Sequence, residues 1–175
     1  MKILEFPELR QTYNYDCGAS ALQSTLIYYG IELKENFVIK IAKTTKEGTQ
    51  IKNIVKVAQK YGLKTDSRQM TIKDLKNFIN KKIPVIIPLQ ARTKNKKIKW
   101  ENTWENGHYV VLIGYDDKKF IFEDPSAFIR TYLTYKEFSK RWHDLDIDEK
   151  KYINHGIAIF GKKPKFKSKE MIKMG

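Results

Sequence analysis

Apolar residues in this chain recur first at helical spacing and then, past Pro84, at the spacing of strands. Over residues 17–29, Ala19, Ala21, Leu22, Leu26, Ile27, Tyr28 and Tyr29 spread around nearly the whole helical circumference. That distribution predicts a buried central helix rather than a surface one. Asp16 is positioned to cap it, and Gly30 to end it in a left-handed conformation. Narrower stripes follow. Leu33, Phe37, Val38, Ile41 and Ala42 predict a helix over 34–43. Ile51, Ile54, Val55, Ala58 and Tyr61 predict another, with Thr49 as cap and Gly62 as stop. Ile72, Leu75, Phe78 and Ile79 mark a further one, opened by Thr71.

After Pro84 the segments "VIIPLQA", "HYVVLIGY", "KFIFED" and "IRTYLT" are rich in β-branched and aromatic residues, and Asp116-Asp117-Lys118-Lys119 supplies a hairpin turn. A short helix, "YKEFSKRW", and a last strand, "HGIAIFG", complete the pattern. Helices first and an antiparallel sheet afterwards make an α+β protein. Residues 1–161 read as one domain, and residues 162–175 as a basic, flexible tail.

Composition narrows the class. A chain of 175 residues with 41% hydrophobic and 13% aromatic content sustains one core, which excludes a disordered chain. The longest apolar runs, "IPVIIPL" and "YVVLIGY", fall far short of the roughly 20 residues of a membrane span. The apolar run in "MKILEFPELRQ" is too short for a secretory signal. One cysteine permits no internal disulfide, so a reducing, cytoplasmic location is expected. Net charge is +14, concentrated in "ARTKNKKIK" (91–99) and in the tail, which holds six lysines against one glutamate. Such charge favours phosphate backbones or anionic surfaces. A solvated lysine-rich face accounts for it as well, and nucleic acid is not expected as a partner.

The cysteine changes the picture. Cys17 stands where the polar stretch "QTYNYD" becomes the apolar helix, and Gly18 allows close backbone approach. A free thiol is mostly protonated at neutral pH, and a helix N-terminus favours the nucleophilic thiolate. A proton acceptor is then needed, and only His108, His143 and His155 exist. His108 begins the strand "HYVVLIGY", and Asp124 lies on the next strand in "FEDPS". The two are near-symmetric about the turn at 116–118, so lateral pairing across the hairpin is expected. An acid there orients the imidazole and stabilises its cation. Gln11 can offer a side-chain N–H to an oxyanion, beside the backbone N–H of Cys17.

Each of these residues has a plainer reading alone: Cys17 as buried filler, His108 as a strand-end histidine, Asp124 as a cap before Pro125. Their coincidence is what argues for catalysis. His155 has no acid at a matching position, His143 follows Trp142 in an acidic loop, and Ser20 and Ser24 face no base. The segment "DLDIDEKKYINH" (144–155) places acids as a calcium loop does, but has Glu149 where the required glycine belongs and His155 where the bidentate glutamate belongs. No pair of residues has zinc-ligand spacing, so no metal or cofactor is expected.

Gln11, then Asp16-Cys17-Gly18 opening an apolar helix, then His108, then Asp124-Pro125 resemble the papain-like cysteine peptidases that trim double-glycine leaders. These are best known as the N-terminal domain of bacteriocin-exporting ABC transporters, and stand-alone members also occur. The resemblance covers roughly residues 8–161. It implies a papain-like fold with Cys17 as nucleophile, His108 as general base and acid, Asp124 as orienter and Gln11 as oxyanion donor. It also implies a peptide or protein substrate with small residues such as Gly-Gly before the scissile bond. The chain has neither a membrane span nor a nucleotide-binding glycine loop, so a transporter partner would be encoded separately. Two other readings use the same residues differently: an acyl transferase or amide hydrolase with the same triad, and a non-catalytic basic binding module.

Overall fold

The computed structural model describes residues 1–175. Its centre is helix α1 (Cys17–Tyr28), in which ten of twelve residues are buried, as its unstriped apolar surface requires. The Ser24 and Thr25 hydroxyls remain satisfied there by donating back to the Ala21 carbonyl, at 3.0 and 2.8 Å. α1 packs against two further helices, α2 (Glu35–Ile41) and α3 (Ile51–Lys60). α4 (Ile72–Asn80) follows, buried through Leu75 and Ile79. Gly30 and Gly62 adopt φ of +80° just past α1 and α3, the left-handed stops that only glycine takes without cost. Thr71 and Asp74 form a reciprocal capping box at the start of α4. Thr49 does not cap α3. Gln50 holds that position, and the buried Thr49 hydroxyl bonds instead to Thr44 at 2.8 Å.

The remaining strands form one antiparallel sheet. β1 is Lys2–Ile3, β2 Lys64–Gln69, β3 Val85–Gln90, β4 Gly107–Tyr115, β5 Lys119–Glu123, and β6 Thr131–Thr134. Helix α5 (Tyr135–Arg141), a small hairpin of β7 (His143–Leu145) and β8 (Lys151–Ile153), and β9 (His155–Phe160) complete the chain. The sheet order is β2-β9-β3-β4-β5-β6, with β1 pairing the far end of β4. Pro88 sits within β3 without breaking it. β9 pairs only with Val85 and Ile86, so no ladder hydrogen bond on that flank calls for an N–H from residue 88.

Two features differ from the sequence expectation. "KTDSRQ" forms β2, an edge strand whose residues are exposed or half-buried and therefore carry no apolar signal. The tail after Gly161 is not free over its first half. The Lys165 and Phe166 N–H groups donate to the Tyr28 carbonyl at 2.9 and 3.2 Å, and Phe166 packs on the core. Ser168 donates to Glu5 Oε1 through its N–H and its hydroxyl, at 2.7 and 2.8 Å.

Candidate active site

Cys17 is the first residue of α1 and is buried. Asp16 occupies the cap position, but its side chain does not cap the helix. It turns back into the preceding loop, where its carboxylate accepts from the N–H groups of Thr12 and Tyr13 at 3.2 and 3.0 Å. The first N–H groups of α1 are thus left unclaimed by a cap, as an anion at the helix start requires. Gly18 is needed by space. A Cβ there would lie 2.8 Å from Thr49 Cβ and 3.0 Å from Tyr109 Cδ2, so any side chain would push Cys17 out of place.

Cys17 and His108 line one cleft of about 330 Å³, together with Trp104, Gly107, Tyr109 and Asp144. His108 is 6% exposed, and its Nε2 lies 2.8 Å from Asp124 Oδ1. That leaves Nδ1 for the thiol. Burial alone would lower the basicity of His108. Hydrogen bonding to Asp124 and to Cys17 outweighs it and pushes the imidazole up to about 9. Burial likewise opposes ionisation of Asp124, and the hydrogen bond from His108 outweighs it, so that carboxyl lies below its ordinary range.

Asp124 and His108 meet diagonally, not as lateral partners. The register pairs Val111 with Glu123 and Leu112 with Phe122, then slips by one residue before Gly114. Asp124 therefore falls just past the end of β5, level with Val110, and the long imidazole spans the offset. Four donors converge on the carboxylate. Oδ1 accepts from His108 and from the Ser126 N–H at 2.9 Å, and Oδ2 accepts from Arg92 and from the Thr131 hydroxyl at 3.5 Å. Arg92 and Ser126 were not singled out in the sequence. Arg92 lies hidden in the basic run and takes a left-handed backbone, with φ of 64°.

Gln11 stands beside this loop, its N–H donating to the Pro125 carbonyl at 3.0 Å and its Oε1 accepting from the Ser126 hydroxyl at 2.6 Å. Its Nε2 donates to the Tyr13 carbonyl at 2.6 Å, and Gln11 does not line the cleft. The other two histidines are engaged elsewhere. His155 Nε2 pairs with the Ser67 hydroxyl at 2.9 Å, and burial pushes the ring down to about 4. His143 Nε2 donates to the Thr103 carbonyl at 2.6 Å, with its ring against Trp104. In the acidic segment 144–155, Asp146 accepts from the N–H groups of Asp148 and Lys150 to build the β7–β8 turn.

A buried helix that presents its cysteine to a histidine–carboxylate pair on a neighbouring antiparallel sheet is the architecture of a papain-like cysteine peptidase. The sequence profile of the Peptidase C39 family matches residues 5–147, and the chain belongs to that family. It is 26% identical over 133 residues to the pediocin PA-1 transport/processing ATP-binding protein PedD of Pediococcus acidilactici; the match takes in 75% of this chain but only 17% of that protein's length. Its fold is similar to that of a C39-like peptidase from Bacillus anthracis, at TM-score 0.71 and 18% identity over 94% of this chain and all of that one. It is similar too to a double glycine motif protease from an AMS/PCAT transporter solved with its leader peptide, at TM-score 0.66 and 21% identity over 94% and 95% of the two chains. No helix is long and apolar enough to cross a membrane.

Proposed function

We propose that this C39 peptidase hydrolyses a leader or precursor peptide after small residues such as Gly-Gly, with Cys17, His108 and Asp124 as its triad. The observation that carries this reading is the buried His108–Asp124 pair at 2.8 Å, sharing a cleft with the cysteine that opens α1. The imidazolium favoured by Asp124 stabilises a thiolate on Cys17. The thiolate adds to the scissile carbonyl, and the oxyanion forms at the start of α1, where the Cys17 N–H is uncommitted. Gln11, held outside the cleft by its bonds to the Tyr13 carbonyl and the Ser126 hydroxyl, becomes the second donor when substrate binding turns its amide toward Cys17. His108 protonates the leaving amine through Nδ1, then takes a proton from the water that cleaves the thioester.

The substrate assignment draws on the double glycine motif protease, whose structure contains a leader peptide, and on PedD, a transport/processing protein. A separately encoded transporter as partner, and the cytoplasm as location, follow from the same reading. The test is cleavage of synthetic peptides carrying Gly-Gly before the scissile bond. Wild type should release the carboxy-terminal product, and Cys17→Ala and His108→Ala should not. Cleavage that persists in Cys17→Ala would overturn the assignment.

A further inference from the structure

The triad leaves one buried carboxylate of the cleft unused. Asp144, in β7, is 8% exposed and lines the same cleft as Cys17 and His108. Its Oδ1 accepts from Gln90 Nε2 at 3.0 Å and from the Leu145 N–H at 2.8 Å. Its Oδ2 takes no hydrogen bond, and Asp144 joins no ion pair. The carboxylate lies directly over Gly107, where a Cβ would come within 2.5 Å of Oδ1, so it sits next to the residue that precedes His108. Gln90 is fully buried and fixed in turn by its own contacts, accepting from the Asn106 N–H at 2.9 Å and donating to the His143 carbonyl. The carboxylate is thus held rigidly, with one oxygen unmatched.

A buried carboxylate without a cation is costly unless something else supplies the charge. Burial pushes Asp144 up to about 7, against the hydrogen bonds from Leu145 and Gln90 and the attraction of His108. The walls around it do not help. Glu47, Glu105 and Asp146 also line the cleft, and Lys46 is the one lysine among the lining residues. In a chain of net charge +14, the cleft is locally acidic.

We infer that Asp144 is a specificity-determining residue that selects substrates placing a lysine or arginine side chain beside the scissile bond, a reading that rests on the peptidase assignment above. A basic side chain reaching Oδ2 gains a charge-assisted hydrogen bond in a partly desolvated site, and a neutral one leaves that oxygen unpaired.

The test separates binding from turnover. Peptides with Gly-Gly before the scissile bond would carry a single lysine, arginine or norleucine at each position from two residues before the glycines to two after the bond. Affinity would be measured by fluorescence anisotropy on Cys17→Ala protein, and kcat/KM on wild type. At one position or more, the basic peptide should bind and react about tenfold better than the norleucine peptide, or more. Asp144→Asn, which keeps an oxygen for Gln90 and Leu145, should erase that preference while keeping the circular dichroism spectrum of the wild type. No basic preference at any position, or a preference that survives Asp144→Asn, overturns the inference. If Cys17→Ala protein shows the preference but wild type cleaves nothing, the peptidase assignment fails and the cation site stands.

Discussion

Replacing Asp124 by asparagine is a sharper probe of the proposed triad than removing it. All four partners of the carboxylate are donors: His108 and the Ser126 N–H on Oδ1, Arg92 and the Thr131 hydroxyl on Oδ2. An amide can satisfy only one side, because its NH₂ cannot face another N–H. Arg92 is always charged and claims the amide oxygen, so the NH₂ turns toward His108. His108 Nε2 must then accept, and its proton moves to Nδ1, the nitrogen that has to serve the thiol. The wrong tautomer in a nucleophile–histidine–acid triad costs about 10⁴-fold in kcat. The charge effect points the same way. His108 is pushed from 6.5 up to about 9, a preference for the cation of roughly 3 kcal/mol, and Asp124 is the chief contact raising it. We expect Asp124→Asn to lose about 10³- to 10⁴-fold in kcat on a Gly-Gly peptide while keeping its circular dichroism spectrum. Adding Arg92→Ala should restore activity about tenfold or more, because the amide can then flip its oxygen toward His108 and its NH₂ toward Thr131, whose hydroxyl can accept. Activity of Asp124→Asn within a few-fold of wild type would refute this reasoning. So would a double variant no better than the single one.

Three other outcomes follow from the same structure. His108 is raised, so its cation is present at neutral pH and is lost as pH climbs through about 9; kcat/KM should fall above that pH, and Asp124→Ala should move the fall toward lower pH, whereas an unmoved limb would separate Asp124 from His108. Gln11→Ala should lower kcat by about 10²–10³ and leave alkylation of Cys17 nearly intact, because alkylation develops no oxyanion; equal loss in both assays would make Gln11 a support for the Ser126 loop. Truncation after Lys163 removes the half-buried Phe166 and the bonds to Tyr28 and Glu5, and should lower Tm by about 2–8 °C, whereas truncation after Ser168 should leave it unchanged.

What the sequence made legible depended on whether a feature leaves a local trace. α1, α3 and α4 follow from apolar spacing and from Gly30, Gly62 and Thr71, since stripes and stops are local. The hairpin at 116–118 was legible for the same reason, and it brought His108 and Asp124 to neighbouring strands. Their diagonal meeting was not legible, because one residue of slippage between Leu112 and Gly114 leaves no mark in composition. β2 escaped because an edge strand with both faces partly wet has no alternation to read. The segment after Gly161 reads as a flexible tail, yet backbone bonds to the Tyr28 carbonyl fix its first half, and backbone bonds have no side-chain signature. Arg92 and Asp144 were hidden for opposite reasons. One lay inside a basic run and the other inside an acidic one, where a single important charge is indistinguishable from its neighbours.

The nucleophile can be caught directly. Wild type would be mixed with an activated ester of a capped peptide ending in Gly-Gly, quenched in acid within milliseconds to seconds, and mapped by mass spectrometry. Deacylation needs a water activated by His108, so a thioester should accumulate before it is hydrolysed. The peptide mass should appear on Cys17 alone, in near-stoichiometric amount. His108→Ala should acylate and deacylate far more slowly, and Cys17→Ala should carry no adduct. An adduct on any other residue, or rapid ester hydrolysis by Cys17→Ala, would show that Cys17 is not the nucleophile of this peptidase.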